Sequence, residues 1–415
     1  MNDIYSQNEL IYYRRMLAAE IRNAIKHFSV VVLSGARQVG KSTLLQNEKP
    51  LKDWLYLTLD NFDILDQAAR NPEALWTQSN NIIIDEVQKS PRLLDAVKQA
   101  VDAHPQKYRF ILSGSSNLML MKKVSESLAG RAVYFNLLPM TISELADKPA
   151  SDILNKLITG DFPKEDSVSP FDPLPYMWRG LMPALMKFEH SPMIVRWWES
   201  YIITYLERDL RQLTQIDSLA DYRRLMTSLA LRCAQLLNQS EVSRDINISQ
   251  PTIHRYINLL ETTHIIHRLP AFAVNRTKRL MKTPKLMWLD PGLVSYLSGL
   301  YSLSELQTSN MRGKIFESMI FLHLYAFSQL QTPKPLLYYW RTSTGNEVDF
   351  VLEWGRKILA IEVKMTHTAR YNDIQNLQLF IQEYPETHAG VLIYTGTQIK
   401  RMDDKIIALP WRLLA

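Results

Sequence analysis

The sequence has little cysteine and no long apolar run. Cys233 is the single cysteine among 415 residues, which excludes an internal disulfide and most metal sites built from thiolates. No stretch approaches the run of about 18 apolar residues that a membrane-spanning helix needs. The first residues also lack the basic-then-apolar layout of a signal peptide. We therefore expect a cytoplasmic protein without a membrane partner.

The excess of basic over acidic residues is also small. The chain has 48 Lys and Arg residues against 42 Asp and Glu residues, a formal net charge of +6. Spread over a large surface, this charge permits nucleic-acid binding but does not predict it. A hydrophobic content of 46% and a charged content of 22% are ordinary for globular proteins. The length predicts about two to four domains.

The stretch from Ser29 to Leu45 carries the strongest motif. Its apolar run predicts a buried strand, and the residues after it fit the phosphate-loop pattern G-x-x-x-x-G-K-[ST]. In such a loop the glycines let backbone N–H groups point at phosphates, Lys41 supplies charge, and the Ser42 hydroxyl is placed to ligand Mg²⁺. A plain glycine-rich turn is the alternative. The residues expected to bind ATP are Gly35, Ala36, Arg37, Gln38, Val39, Gly40, Lys41, Ser42 and Thr43.

Two acids follow a second apolar run, Asn81 to Ile84. This run predicts a buried parallel strand, and ligands of open α/β sheets bind at the carboxyl ends of such strands. Asp85 would hold Mg²⁺ through water, and Glu86 would orient and deprotonate the attacking water. Their position downstream of a phosphate loop makes this interpretation stronger than an Asp-Glu pair alone.

Further polar residues follow the later strands of the same region. Ser113, Ser115 or Asn117, after the run Arg109 to Leu112, could sense the γ-phosphate or cap the next helix. Arg131 follows a glycine and precedes the strand Val133 to Leu138. It is either an arginine finger or a partner in a surface salt bridge.

These motifs together resemble prokaryotic ATPases of the AAA superfamily that carry a conserved C-terminal region of unknown function. The resemblance rests on GARQVGKST, IIIDEVQ, ILSGSSN, and LAGR followed by LLPMTISEL, and it continues through YLERDLRQL and MWLDPGLVSYLSG. It implies ATP hydrolysis at the phosphate loop, an AAA-type parallel sheet and a homo-oligomer. In such an oligomer Arg131 would act across a subunit boundary.

The middle of the chain changes in texture. A proline-rich stretch at residues 150–175 predicts a linker or a long loop, and helices follow. The aromatic residues of the segment 195–205 are expected in the core, while Arg208 or Arg211 could reach the nucleotide. Residues 238–261 predict a helix-turn-helix, with Gln250, Thr252, His254 and Arg255 near the exposed start of the second helix. Strands 265–269 and 285–289 would complete a winged helix around a basic loop, 275–282, which either contacts DNA or is merely solvated.

In the C-terminal region, Asp349 and the run Glu362-Val363-Lys364 lie on predicted strands after a helix that carries Glu317. This arrangement resembles the PD-(D/E)xK nuclease fold. Asp349 and Glu362 would ligand Mg²⁺, or Mn²⁺, together with the Val363 carbonyl. Lys364 would orient a water or stabilise the phosphate, and Glu317, on a preceding helix, would complete the metal site. Val348 stands where the motif has proline. The alternative is an interaction domain that has kept a metal-like constellation.

Taken together, the sequence predicts an α/β protein in three parts. These are a P-loop ATPase of AAA type at 1–150, a linker and helical region at 151–220 that leads into a winged helix-turn-helix at 221–300, and a PD-(D/E)xK-like domain at 301–415. The predicted function is an ATPase that acts on DNA, with a nuclease-like C-terminal domain. The alternative is an ATP-dependent regulatory switch whose C-terminal domain binds protein or nucleic acid without cleaving it.

Overall fold

The structure is a computed structural model that describes residues 12–114, 128–189, 191–204, 218–273 and 282–414. Several predicted features lie outside these ranges: Ser115, Asn117, Arg208, Arg211 and the basic loop from residue 275 to 281. Among the described residues, no helix has both the length and the apolar character needed to cross a membrane.

A five-stranded, all-parallel sheet forms the N-terminal part, in the order β2-β3-β4-β1-β5. Its strands are β1 Val30–Ser34, β2 Leu55–Thr58, β3 Asn81–Asp85, β4 Arg109–Ser113 and β5 Ala132–Asn136. The central strands β1 and β4 are buried almost throughout, as their apolar sequences predict for a sheet covered on both faces. Its helices are α1 Leu17–His27, α2 Lys41–Asn47, α3 Phe62–Arg70, α4 Leu93–Ala103 and α5 Ile142–Leu145.

The middle part is mainly helical. Its helices are α6 Ile153–Ile158, α7 Leu174–Arg179, α8 Ser191–Tyr201, α9 Leu219–Ala230, α10 Gln239–Ile246, α11 Gln250–Thr262, α12 Pro291–Leu297 and α13 Leu303–Thr308. Its strands are the short β6 Asp166–Ser167 and an antiparallel hairpin of β7 Ile266–Leu269 and β8 Lys285–Trp288.

The predicted helix-turn-helix elements are present as α10 and α11. Asn238 caps α10 because its side-chain oxygen accepts from the N–H groups of Ser240 and Glu241, at 3.1 and 3.2 Å. Asn247 ends that helix in the left-handed region, with φ 51°. Of the aromatic residues of α8, Trp198 and Tyr201 are core, as expected, since they are 1% and 2% exposed, while Trp197 is half-buried against that core.

The C-terminal part is a seven-stranded mixed sheet with helices packed against it. Its elements are α14 Arg312–Gln329, β9 Leu336–Arg341, β10 Glu347–Trp354, β11 Lys357–Lys364, α15 Gln375–Glu383, β12 Ala389–Tyr394, β13 Gln398–Asp403 and β14 Ile406–Pro410. The order is β6-β13-β14-β12-β11-β10-β9. The pairings of β12 with β11 and with β14 are parallel, and the other described pairings in this sheet are antiparallel.

The proline-rich segment at residues 150–175 packs against the C-terminal part of the chain. Its strand β6 pairs with β13 at the sheet edge. The Trp411 indole stacks on Phe171 at 5.2 Å and donates to the Phe171 carbonyl at 3.0 Å. Polar and proline-rich composition suggested a loop, but it did not reveal these partners, which are distant in sequence. A continuous set of buried side chains runs from Leu17 to Trp411 through all three parts.

Candidate functional site

The phosphate loop lies between β1 and α2, at the carboxyl edge of the parallel sheet. Gly35 has φ +150°, and a Cβ there would meet the Leu137 carbonyl oxygen at 2.3 Å, so only glycine fits. Gly40, with φ +94°, precedes the first residue of α2. The loop therefore has the curled backbone that the sequence motif predicts, with a helix N-terminus directed at its centre.

Two oxygen ligands suited to Mg²⁺ meet beside this loop. The Ser42 hydroxyl donates to an Asp85 carboxylate oxygen at 2.6 Å, across 43 residues of sequence. The Tyr56 hydroxyl, on the neighbouring β2, donates to the same oxygen. Burial and this bond to Asp85 both raise the pKa of Tyr56. The donor set of Ser42 and Asp85, a hydroxyl and a carboxylate, fits a magnesium ion, which takes oxygen ligands.

Lys41 is folded back on its own loop. Its ammonium donates to the carbonyls of Gly35 and Ala36 at 3.1 and 2.9 Å. The residue is 7% exposed, and burial lowers the pKa of Lys41 to about 8, against the opposing charges of Glu86 and Asp85. The ammonium is thus held at the loop by neutral carbonyl acceptors. A phosphate oxygen, which is charged, would bind it more strongly and replace them.

Glu86 follows the end of β3 in a backbone conformation unusual for its type, with φ 56°. Its carboxylate accepts from the Gln88 amide, which orients it. On the neighbouring β4, the Ser113 side chain is fully buried, and its hydroxyl has no hydrogen-bond partner among the residues that the structure describes. Ser113 thus keeps the potential for γ-phosphate sensing that the sequence suggested.

The motif search missed three residues that contact the loop or the strand end beside it. Arg15 is 6% exposed and donates to the Val39 and Leu138 carbonyls, each at 2.6 Å. Its contacts fix the loop to the segment after β5. The middle part adds Tyr201, whose hydroxyl donates to the Arg37 carbonyl at 3.3 Å.

His264 also comes from the middle part, and it bonds to Asn136 at the carboxyl end of β5, with 3.0 Å between Nδ1 and Nδ2. Burial first, and then the charges of Lys41 and His267, lower the pKa of His264 to about 4, while Glu261 opposes the shift. Single residues at such large sequence separations leave no local pattern, which is why the sequence did not indicate them.

We expect His264 to make the folded protein sensitive to acid. The unfolded chain takes up this proton near pH 6.5, whereas the folded chain does so only near pH 4. The free energy of unfolding should therefore fall between pH 7 and pH 5, by about 2 kcal/mol from this residue. In urea unfolding between pH 7 and pH 5, the free energy of unfolding of His264→Gln should fall by about 2 kcal/mol less than that of the wild type. His254→Gln, on an exposed face of α11, is the control and should behave like the wild type.

Arg131 lies at the opposite edge of the sheet from the phosphate loop of its own chain. Its neighbour Ala132 pairs with Val30 at the start of β1, while the loop follows Ser34 at the other end. Four residues of strand separate the two edges by about 13 Å. Arg131 pairs with Asp102, so the salt-bridge alternative is present in the single chain.

The predicted C-terminal residues do come together, but around a lysine. Asp349, on β10, accepts from the Val363 N–H at 2.9 Å, and Glu362 pairs with Lys364 at 2.7 Å on β11. Glu317, on α14, is 4% exposed. The ammonium of Lys285, on β8, reaches this cluster from the middle part. It lies 2.5 Å from Glu317, 2.6 Å from Glu347 and 3.3 Å from Asp349.

Mutual proximity shifts the acidities in this cluster. Burial and the Asp349 charge raise the pKa of Glu362 to about 8 and that of Glu317 above its ordinary value. Burial alone would raise the pKa of Asp349, but the charges of Lys285 and Lys364 outweigh it and lower that pKa. Sequence reasoning missed Lys285 because it assigned this residue to a hairpin in another domain.

Family comparisons divide the chain much as the structure does. Residues 27–146 match the model of an AAA domain. Residues 172–304 match a domain of unknown function (DUF8612), and residues 312–414 match another (DUF4143). The resemblance to AAA-superfamily ATPases is thus confirmed for the N-terminal part.

Some relatives align with this chain over nearly its whole length. An uncharacterized protein of Mycobacterium tuberculosis, Rv2008c, is 28% identical over 402 residues, which cover 97% of this chain and 84% of that protein. The uncharacterized MJ1544 of Methanocaldococcus jannaschii is 20% identical over 399 residues, 91% of this chain and 85% of that protein.

Solved structures resemble the chain more distantly. The Walker-type ATPase PABY2304 of Pyrococcus abyssi aligns with a TM-score of 0.45 and 14% identity, over 69% of this chain and 96% of its own. The Holliday junction branch migration motor RuvB of Thermotoga maritima aligns with a TM-score of 0.29 and 16% identity, over 64% and 92%. The family match and the site geometry agree: residues 27–146 match an AAA domain and contain a phosphate loop beside Asp85 and Glu86.

Proposed function

We propose that this chain binds and hydrolyses ATP at the loop Gly35–Ser42 and uses the energy to act on DNA. One observation carries the first part: the 2.6 Å contact that joins Ser42 of the loop to Asp85 of β3, next to Glu86. Ser42 and Asp85 would hold Mg²⁺, which supplies positive charge to the β- and γ-phosphates when bound.

The protein's own groups divide the work of hydrolysis. Lys41 moves from the loop carbonyls to the β- and γ-phosphate oxygens, since a charged acceptor binds an ammonium more strongly than a neutral one. Glu86, oriented by Gln88, holds the attacking water and accepts its proton. His264 and Tyr201 join this site to the middle part, which offers a route by which hydrolysis would move it.

Arg131 is proposed to complete the site of a neighbouring subunit in a homo-oligomer. Its distance from its own loop supports action in trans. Arg131→Ala should then bind ATP normally but fail to turn it over. Mixing equal amounts of Arg131→Ala and Glu86→Gln subunits should restore turnover, because about a quarter of the interfaces would pair two intact halves. The absence of any rescue in a sample shown to be oligomeric would count against this role.

DNA contact is proposed for the middle part, through α11 and the basic loop that follows β7. The exposed Gln250 and His254 at the start of α11 support this. Replacing Arg255, Arg276, Lys278 and Arg279 by glutamine should weaken DNA binding. The salt slope should also fall, by about one for each charge that contacts a phosphate. Arg356→Gln with Lys357→Gln, in an exposed turn of the C-terminal sheet, is the control. A slope that the four substitutions leave unchanged would mean that α10 and α11 only pack within the protein.

For the C-terminal part, two functions differ in whether DNA is cut. The Lys285 ammonium among the carboxylates favours a nucleotide-driven switch whose C-terminal part binds without cleaving. The pairing of Glu362 with Lys364 at one strand end favours the second candidate, cleavage with Mg²⁺ or Mn²⁺ at Asp349, Glu362 and Glu317. The residues do not fit a metal ion while the ammonium lies among them.

One incubation separates the two candidates. Purified protein is mixed with ATP, supercoiled plasmid or single-stranded DNA, and Mg²⁺ or Mn²⁺. Phosphate release with intact DNA is the result expected of the switch. DNA that is cut by the wild type but not by Asp349→Ala would establish the second candidate instead.

A further inference from the structure

We infer that the C-terminal carboxylate cluster takes the ammonium of Lys285 as its cation, in the position that a divalent metal would need. The cluster consists of Glu317, Glu347, Asp349 and Glu362. The inference deepens the non-cleaving proposal for this part and does not depend on ATP hydrolysis.

Three carboxylates surround the ammonium at close range. A lysine ammonium has three N–H donors and no acceptor. Glu317, Glu347 and Asp349 lie at 2.5, 2.6 and 3.3 Å from Nζ. Glu347 and Asp349 accept hydrogen bonds from it, and Glu317 is an ion-pair partner. Carboxylate oxygens of these same three residues all lie within 4.8 Å of one another, as a metal site requires. The metal and the ammonium would therefore compete for one set of oxygens.

Charge balance favours the ammonium. Each carboxylate of the cluster has a cationic partner: Lys285 and Lys314 for Glu317, Lys285 and Arg341 for Glu347, Lys285 for Asp349, and Lys364 for Glu362. Every carboxylate of the cluster thus already has at least one cationic partner. A divalent ion added to this set would lie close to the Lys285 ammonium in a buried place, which is unfavourable unless Lys285 leaves.

Lys285 cannot leave by a simple side-chain rotation into water. It is 1% exposed, and its backbone is held in β8 opposite Leu269. On its other side it forms a bridge with Leu236. Farther along β8, the Trp288 N–H donates to the Ser318 hydroxyl of α14 at 3.0 Å, and this hydroxyl donates back to the Trp288 carbonyl at 2.8 Å. Strand and helix are thus fastened together beside the cluster.

The arrangement also joins two parts of the chain that the sequence separates. Lys285 belongs to the hairpin of the middle part, whereas its acceptors lie on α14 and β10. The Tyr339 N–H, on β9, donates to the Pro270 carbonyl at 3.0 Å and so holds the same hairpin at the sheet edge. The cluster is therefore a buried ionic contact that fixes the hairpin on the C-terminal sheet.

Manganese binding without nucleotide tests this inference, with free Mn²⁺ counted by electron paramagnetic resonance. The wild type and Asp349→Asn should bind the same amount. Lys285→Met keeps most of the side-chain stem but removes the charge, and it should gain one Mn²⁺ that Lys285→Met with Asp349→Asn loses again. Lys314→Met, which removes a half-exposed partner of Glu317, is the matched control and should gain none.

Two results would overturn the inference. One is a Mn²⁺ ion that the wild type binds and Asp349→Asn loses. The other is a folded Lys285→Met protein that gains no Mn²⁺. If Lys285→Met does not fold, lysine acetylation of the wild type followed by mass spectrometry decides. Lys285 should stay unlabelled with and without millimolar Mn²⁺, and labelling that rises with Mn²⁺ would show that the metal displaces it.

Discussion

Replacing Glu86 by glutamine should slow ATP turnover by about 10²- to 10⁴-fold while leaving ATP binding nearly unchanged. This range is typical for the loss of a positioned general base. The amide keeps the size of the side chain, but it cannot accept the proton of the attacking water. Asp85 and Ser42, which contact each other at 2.6 Å, are untouched, so the oxygen ligands proposed for Mg²⁺ remain.

Steady-state phosphate release and equilibrium binding of a fluorescent ATP analogue measure the two effects separately. Glu73→Gln, which changes an exposed glutamate outside the site, is the matched control and should retain full turnover. Equal turnover by the wild type and Glu86→Gln would remove Glu86 from the catalytic site.

Replacing Lys41 by alanine should weaken ATP binding by at least about 100-fold. The ammonium would make charge-assisted hydrogen bonds to the β- and γ-phosphates, and two such bonds together contribute about 3 kcal/mol or more. Their loss removes binding energy as well as transition-state stabilisation, so turnover should fall with affinity. This distinguishes Lys41 from Glu86, whose loss should affect turnover alone.

Isothermal titration calorimetry can compare the binding of ATP to Lys41→Ala and to a control variant, Lys52→Ala. Lys52→Ala, which removes an exposed lysine a short distance along the chain, is the control and should bind as the wild type does. Lys41 also donates to two loop carbonyls, so circular dichroism should verify that Lys41→Ala is folded. A folded Lys41→Ala protein with wild-type affinity would contradict the assignment of the loop.

The nucleotide site could be predicted from the sequence because its main parts are local. The phosphate-loop motif spans eight residues, from Gly35 to Ser42. Asp85 ends a strand that its apolar run predicts, and Glu86 follows directly. Parallel pairing of β1, β4 and β3 then brings the ends of these strands to one edge. What the sequence could not give are the contacts of Arg15, Tyr201 and His264, which are fixed by the packing of separate parts.

The C-terminal cluster illustrates the same limit more strongly. The positions of Asp349, Glu362, Lys364 and Glu317 on strand ends and a helix were sufficient to predict that they meet. The partner that changes their chemistry, Lys285, lies about 64 residues before Asp349 and was assigned to a hairpin of another part. A charge that arrives through tertiary packing has no signature in local spacing. The metal site consequently stays a prediction, with the ammonium as its competitor.

Hydrolysis of ATP at this loop, with Glu86 as the base, can be followed in a single-turnover experiment. Protein in excess over radiolabelled ATP and Mg²⁺ is quenched after increasing times, and the nucleotide that stays bound is identified. We expect ADP on the wild type, uncleaved ATP on Glu86→Gln and no bound nucleotide on Lys41→Ala. ATP that stays intact on an oligomeric wild type, or ADP that forms equally fast on Glu86→Gln, would contradict this expectation.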